Sequence, residues 1–329
     1  MKERGDLKIG KRCRARLVSP PMSDAAPLIT PAPVSKAKVF ARRLLSTAVL
    51  WGIVLGALFS GNKMLSDVVF ALVMVVLAVV GLLEFYGFVE KEGMVCFKGW
   101  GIFAGVLLMV GTFLHLQGWL GLYDTPARVN DFEVLFLILF VLGLCFLQFL
   151  SKSNTKGILA ISTTLFGLMY VPWLLNFIQK IYLFPKLGDD GKFYVLYFIL
   201  VTKFSDSGAY AVGSLIGKHK MIPRISPGKT WEGFGGAIVV STGASLLFAH
   251  LAGPHLPGMT WIHAIILGVL LSTAAVVGDL IESIFKREAG VKDSGNFFPG
   301  IGGILDLLDS LLFNAPLMYL YLRHVLTHP

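Results

Sequence analysis

The sequence predicts an all-α integral membrane protein of about nine transmembrane helices with a polar, cytoplasm-facing cavity, and three observations carry that prediction. Of 329 residues, 55% are hydrophobic and only 15% charged, with a mean hydropathy of +0.73. A soluble domain carries about a quarter charged residues, so lipid must be the main solvent of this chain. Apolar runs of about 20 residues, long enough to cross the hydrocarbon core as helices, recur along its length. Acidic and basic residues gather instead in two segments of the C-terminal third, next to such runs.

Residues 1–38 are basic, contain proline and lack aromatics, which predicts a disordered cytoplasmic tail that signals topology and touches anionic lipid. The tail lacks the compact apolar core and small-residue cleavage site of a secretory signal. Candidate spans follow near Phe40 to Ser60, Asp67 to Val89, Trp100 to Leu120, Phe132 to Leu150 and Gly157 to Ile178. They continue at Phe193 to Ile216, Trp231 to Leu251, Trp261 to Phe285 and Gly303 to Leu326. The chain thus divides into the tail, N-terminal helices over residues 39–192, and a C-terminal catalytic region over residues 193–329. No internal repeat and no separate soluble domain is evident.

Basic residues are retained on the cytoplasmic side of a bilayer, and eleven of them lie in the first 43 residues, so the N-terminus is expected inside. Counting through nine spans then puts Lys218, Lys220, Arg224 and Lys229, and also Lys286, Arg287 and Lys292, on inner loops. A multi-pass protein of a bacterial inner membrane is the expectation. Cys13, Cys96 and Cys145 have spacing that suits neither zinc nor a disulfide framework. His219 is expected to be an ordinary loop residue.

Ionisable groups inside spans are costly, so they mark candidate sites. Asp206, in KFSDSGAY, lies three residues after Lys203 on one helical face; a helix-packing ion pair is the alternative to a functional role. Asp279, Glu282, Ser283, Lys286 and Arg287 form one stripe at spacings of three and four, and Asp306 and Asp309 repeat that geometry in the next helix. Facing each other, these stripes would concentrate carboxylates at the inner boundary of the membrane. Such oxygens suit a hard cation such as Mg²⁺, which leaves positions open for phosphate, while the lysines and arginine hold the remaining phosphate charge. A salt-bridge network tying two helices together is the competing account.

The loops NFFPGIGG and IPRISPGKTWEG carry glycines whose amides can cradle phosphate oxygens. PGKT is not a P-loop, because Pro223 stands where that motif needs its first glycine.

Taken in order, SDSGAY, GKHK, SPGKTWEG, GDLIES and FKREAGVKDSGNFFPGIGGILDLLDS resemble the phosphatidate cytidylyltransferase (CDP-diacylglycerol synthase) family, over about Phe204 to Ser310. The resemblance implies a membrane enzyme, often a homodimer, that condenses CTP with phosphatidic acid to give CDP-diacylglycerol and pyrophosphate, with no nucleic-acid partner. It implies that Asp279 and Asp306 hold the catalytic metal, principally Mg²⁺, with room for a second cation. Lys286, Arg287, Lys292 and Asp293 stand at the family's KR and KD positions, and Ser226, Gly228, Lys229 and Thr230 at its SPGKT position. Asp206 and Asp309 join the catalytic candidates, and Glu282, Ser283, Gly302 and Gly303 the substrate-binding ones. The chain departs from the common pattern at Ile301, where histidine is usual before the two glycines, and at Leu307, where arginine usually follows the aspartate. A CTP-dependent membrane lipid kinase and an ion-coupled transporter remain the alternative functions.

Overall fold

The computed structural model describes residues 49, 51–56, 58–59, 61–119, 126–151, 156–295 and 302–327. The tail over residues 1–38, most of the expected first span, Cys13 and Ile301 lie outside the described residues. Helices dominate: α1 (Lys63–Lys91), α2 (Lys98–Leu116), α3 (Pro126–Leu150), α4 (Gly157–Leu168), α5 (Leu174–Tyr182), α6 (Gly191–Ile216), α7 (Trp231–Leu251), α8 (Trp261–Glu288) and α9 (Ile304–Tyr321). Among the described residues, seven helical segments are long and apolar enough to cross a membrane, and α6 matches the sixth expected span in position. α6 falls outside those seven although it runs for 26 residues, and its sequence holds the polar KFSDSGAY segment.

α4 and α5 together make one such segment, Gly157–Tyr182, joined by a wide π turn over Met169–Trp173. Pro172 explains the turn: it has no N–H to donate and its ring crowds the preceding turn, so the helix widens there instead of breaking. The segment KMIPRISPGKT, whose IPRISPGKT part is expected as an inner loop, forms an antiparallel hairpin of β1 (Lys220–Ile222) and β2 (Ser226–Thr230), with Lys220 opposite Thr230 and Ile222 opposite Ser226.

Small residues set the close helix crossings that matter for the site, as they do where backbones pack without a hydrophobic driving force. α6 and α7 cross at Gly208 and Gly236; a Cβ on Gly208 would stand 2.7 Å from the Gly236 carbonyl oxygen. Ser241 donates from α7 to the Val201 carbonyl of α6 at 3.0 Å, and Ser245 to the Ala264 carbonyl of α8 at 2.6 Å. α8 meets α9 at Gly278, where a Cβ would lie 2.6 Å from the Asp309 carbonyl oxygen. The missing side chain at Gly278 therefore brings the acidic ends of the two helices together.

The principal core runs from Phe70 and Tyr86 of α1 through Tyr194 and Phe198 of α6 to Leu312 and Met318 of α9, so both halves of the chain share it. Outer faces are apolar, with Phe149, Ile158 and Val239 among the exposed side chains.

Candidate active site

The C-terminal part of α6, the hairpin, the C-terminal part of α8 and the first turns of α9 enclose a cleft of about 450 Å³. Along an alternating path of spans these parts share one end of the molecule. Asp206, Ser226, Gly228, Lys229, Thr230, Asp279, Asp306 and Asp309 all line the cleft. Residues from four segments of sequence thus converge.

Asp279 and Asp309, which line the cleft, and the buried Glu282, which does not, present carboxylate oxygens that all lie within 4.8 Å of one another. Glu282 is 0% exposed; its Oε2 pairs with Lys286 Nζ at 2.7 Å, and its Oε1 has no hydrogen-bond partner among the described residues. A buried carboxylate oxygen left unpaired is costly, so a ligand is the natural complement. Ser283 donates to Asp279 Oδ1 at 3.4 Å.

Asp306 is engaged differently. Its Oδ1 lies 2.8 Å from Lys286 Nζ, and its Oδ2 accepts from the amides of Gly303 at 2.8 Å and Ser294 at 2.9 Å. The bond to Gly303 is half of a capping arrangement at the start of α9, where the helix leaves its first N–H groups unpaired. Gly302 has φ +122°, a backbone region that favours glycine, and a Cβ there would run into the Asp306 carboxylate. Of the glycines expected to cradle a substrate phosphate, Gly303 gives its amide to Asp306 and Gly302 packs against that carboxylate, Gly228 lines the cleft, and the NFFPGI part of the loop lies outside the described residues.

Lys229 on β2 reaches across to Asp279, with Nζ 2.8 Å from Oδ2, and also donates to the Val276 carbonyl at 3.2 Å. Thr230 Oγ1 accepts from the Gly233 amide at 3.1 Å as the N-cap of α7, so its hydroxyl fixes where Lys229 emerges. The base of the hairpin is clamped by Glu232, which accepts from the amides of Lys218 and His219 at 3.2 Å and lies 2.5 Å from His219 Nδ1. His219 is a loop residue, as expected, and it is tied to Glu232.

Lys203 and Asp206 pair at 3.4 Å, as the helix-packing alternative has it, but Lys203 also donates to the Leu307 carbonyl at 3.0 Å and to Ser310 Oγ at 3.3 Å. These two residues line both the polar cleft and a neighbouring, largely apolar cavity of about 390 Å³ bounded by Trp51, Phe70, Met74, Ile199 and Leu311. Leu307 also lines the apolar cavity.

Arg287, Lys292 and Asp293 are exposed and do not line the cleft. Glu84 went unnoticed in the sequence. Its carboxylate, from α1, accepts from the amides of Ile304 at 3.0 Å and Leu305 at 2.7 Å and from Ser294 Oγ at 3.0 Å. The rule that singled out Asp206, an ionisable group within an apolar span, would have found it.

The fold and the cleft define a helical, multi-pass membrane protein whose polar site sets clustered carboxylates beside lysines. The model of the cytidylyltransferase family matches residues 41–325. The chain is 32% identical over 271 residues to the phosphatidate cytidylyltransferase of Bacillus subtilis, covering 79% of this chain and 97% of that protein. To the Haemophilus influenzae protein of the same name it is 33% identical over 293 residues, covering 84% and 96%. To that of Mycobacterium leprae it is 41% identical over 154 residues, 47% of each chain. The chain belongs to the cytidylyltransferase family and is an enzyme of that type.

Proposed function

We propose that this chain transfers the CMP moiety of CTP to phosphatidic acid, giving CDP-diacylglycerol and pyrophosphate, at the inner face of a bacterial cytoplasmic membrane with its N-terminus inside. The observation that carries the reading is the meeting of Asp279, Glu282 and Asp309 within 4.8 Å, beside Lys229, in a chain of the cytidylyltransferase family. Three hard oxygen donors, one of them a buried oxygen without a partner, suit Mg²⁺ and leave room for phosphate oxygens. A bound Mg²⁺ would supply positive charge against the triphosphate. Asp306 belongs to the same acidic wall, with Lys286 held between it and Glu282.

An oxygen of the phosphatidic acid phosphate attacks the α-phosphorus of CTP, the bond from that phosphorus to the β-phosphate oxygen breaks, and its electron pair leaves with pyrophosphate. No side-chain nucleophile is needed, so catalysis rests on alignment and charge neutralisation. Lys229 faces the cleft from the hairpin and Lys203 from α6, and each offsets phosphate charge. Lys203 and Asp206 also border the apolar cavity, which supports a headgroup held there with its acyl chains in that cavity. Arg287 and Lys292, exposed at the same end, raise the local concentration of anions through their field.

Incubating purified protein with CTP labelled at the α-phosphate, phosphatidic acid and Mg²⁺ should place the label in a lipid product and release pyrophosphate. Transfer of a γ-label with release of CDP would identify a lipid kinase instead. Gradient-driven uptake in proteoliposomes without nucleotide turnover would identify a transporter.

A further inference from the structure

We propose that Glu84 is a positioning residue for the active site, a built-in anion that docks α1 onto the first turn of α9 and so sets the acidic cluster. The inference rests on the proposed metal site, but its geometry stands by itself. The N-terminus of a helix offers unpaired N–H groups and a positive dipole end, which together favour an anion. In α9 that anion is Glu84, with Oε1 taking the Ile304 amide and Oε2 the Leu305 amide and the Ser294 hydroxyl.

The surrounding sequence is shaped around this carboxylate. A Cβ on Gly303 would lie 2.6 Å from Glu84 Oε1, and a Cβ on Gly295 would collide with the same oxygen. Two glycines more than 200 residues away in sequence thus leave the space that Glu84 fills. Ser294 carries the contact onward: its amide donates to Asp306 Oδ2 at 2.9 Å, and its Oγ accepts from the Asp306 amide at 3.2 Å. Asp306 holds Lys286, Lys286 holds Glu282, and Asp309 lies one turn further along α9. Loss of Glu84 would free the first turn of α9 to rotate, and with it the oxygens that Asp309 and Glu282 direct at one point.

The full chain carrying Glu84→Ala, purified in detergent, tests this with two readouts: Mn²⁺ affinity, from an electron paramagnetic resonance titration, and CTP turnover. Mn²⁺ affinity should fall by about ten- to a hundredfold, in the range seen when partners that orient metal ligands are removed, with turnover falling in parallel. Added formate, small enough for the vacated cradle, should restore part of both. A merely structural Glu84 would lower thermal stability while leaving Mn²⁺ affinity and turnover per folded molecule within about twofold of wild type, a difference under 1 kcal/mol, and that result would overturn the proposal. Glu84→Gln keeps the shape and one acceptor oxygen and serves where the alanine variant does not fold. An intermediate loss of Mn²⁺ affinity is expected from it, and wild-type values on both readouts would equally overturn the idea. If wild-type protein binds Mn²⁺ but makes no CDP-diacylglycerol, the reaction assignment fails, while the Mn²⁺ comparison still decides the role of Glu84.

Discussion

At the scale of single residues, the aspartates of the site divide by what already holds them. Asp279 contacts Lys229 and Ser283, and it contributes an oxygen to the three-carboxylate group. Asp306 is held by Lys286 and two backbone amides in the first turn of α9. Asp279→Asn should therefore abolish CTP turnover, a fall of at least about 10²-fold, and leave the melting temperature near wild type. Asp306→Asn should lower turnover and also cost about 1–3 kcal/mol of stability, because Lys286 and an amide lose their acceptor. Parallel measurements of turnover and thermal unfolding separate the two; equal destabilisation by both substitutions would contradict this division of labour. The acidic stripes of α8 and α9 were legible because spacings of three and four report one helical face. The specific engagement of Asp306 was not, because backbone amides leave no mark in a sequence.

At the scale of elements, the expected spans from Asp67 onward appear as helical segments among the described residues, because a run of about 20 apolar residues has few other ways to satisfy its backbone in lipid. The β1–β2 hairpin escaped notice, since Arg224, Pro227 and Gly228 break the alternation by which strands are recognised. A second feature concealed by apolar surroundings is the pair of Glu133 on α3 and Lys180 on α5, 2.5 Å apart with side chains only 6% and 4% exposed. Asn176 donates to Glu133 Oε1 at 2.7 Å and to Thr112 Oγ1 at 3.0 Å, so α2, α3 and α5 meet in one polar network remote from the cleft. Lys180→Met would strand the buried carboxylate and should destabilise the protein by about 3–5 kcal/mol. Adding Glu133→Leu should recover most of that loss, because a buried ion pair replaced by packed apolar side chains is close to neutral. Detergent thermal unfolding of the single and double variants reads the difference. A double variant no more stable than Lys180→Met would mean that the pair does more than satisfy itself.

Across the whole molecule, periodicity states which residues share a face of one helix, yet it does not state which helices meet; the docking of α1 on α9 through Glu84 is information of that second kind. Sidedness is different, because it can be read from charge. The parts that build the cleft, and the loops next to them, carry Lys218, Lys220, Arg224, Lys229, Lys286, Arg287 and Lys292, whereas the connection from α5 to α6 at the other end carries Lys186 with Asp189 and Asp190, and the first turn of α6 carries Lys192. Basic residues stay on the cytoplasmic side during insertion, and CTP is a cytosolic anion, so both considerations support the proposed cytosolic face for the cleft. With Cys13, Cys96 and Cys145 replaced by serine, a cysteine introduced as Lys292→Cys should react with a membrane-impermeant maleimide only in inside-out vesicles. One introduced as Asp190→Cys should react only from the outer face. The reverse pattern would put the cleft where no CTP is available, and the nucleotidyl-transfer reading could not survive it.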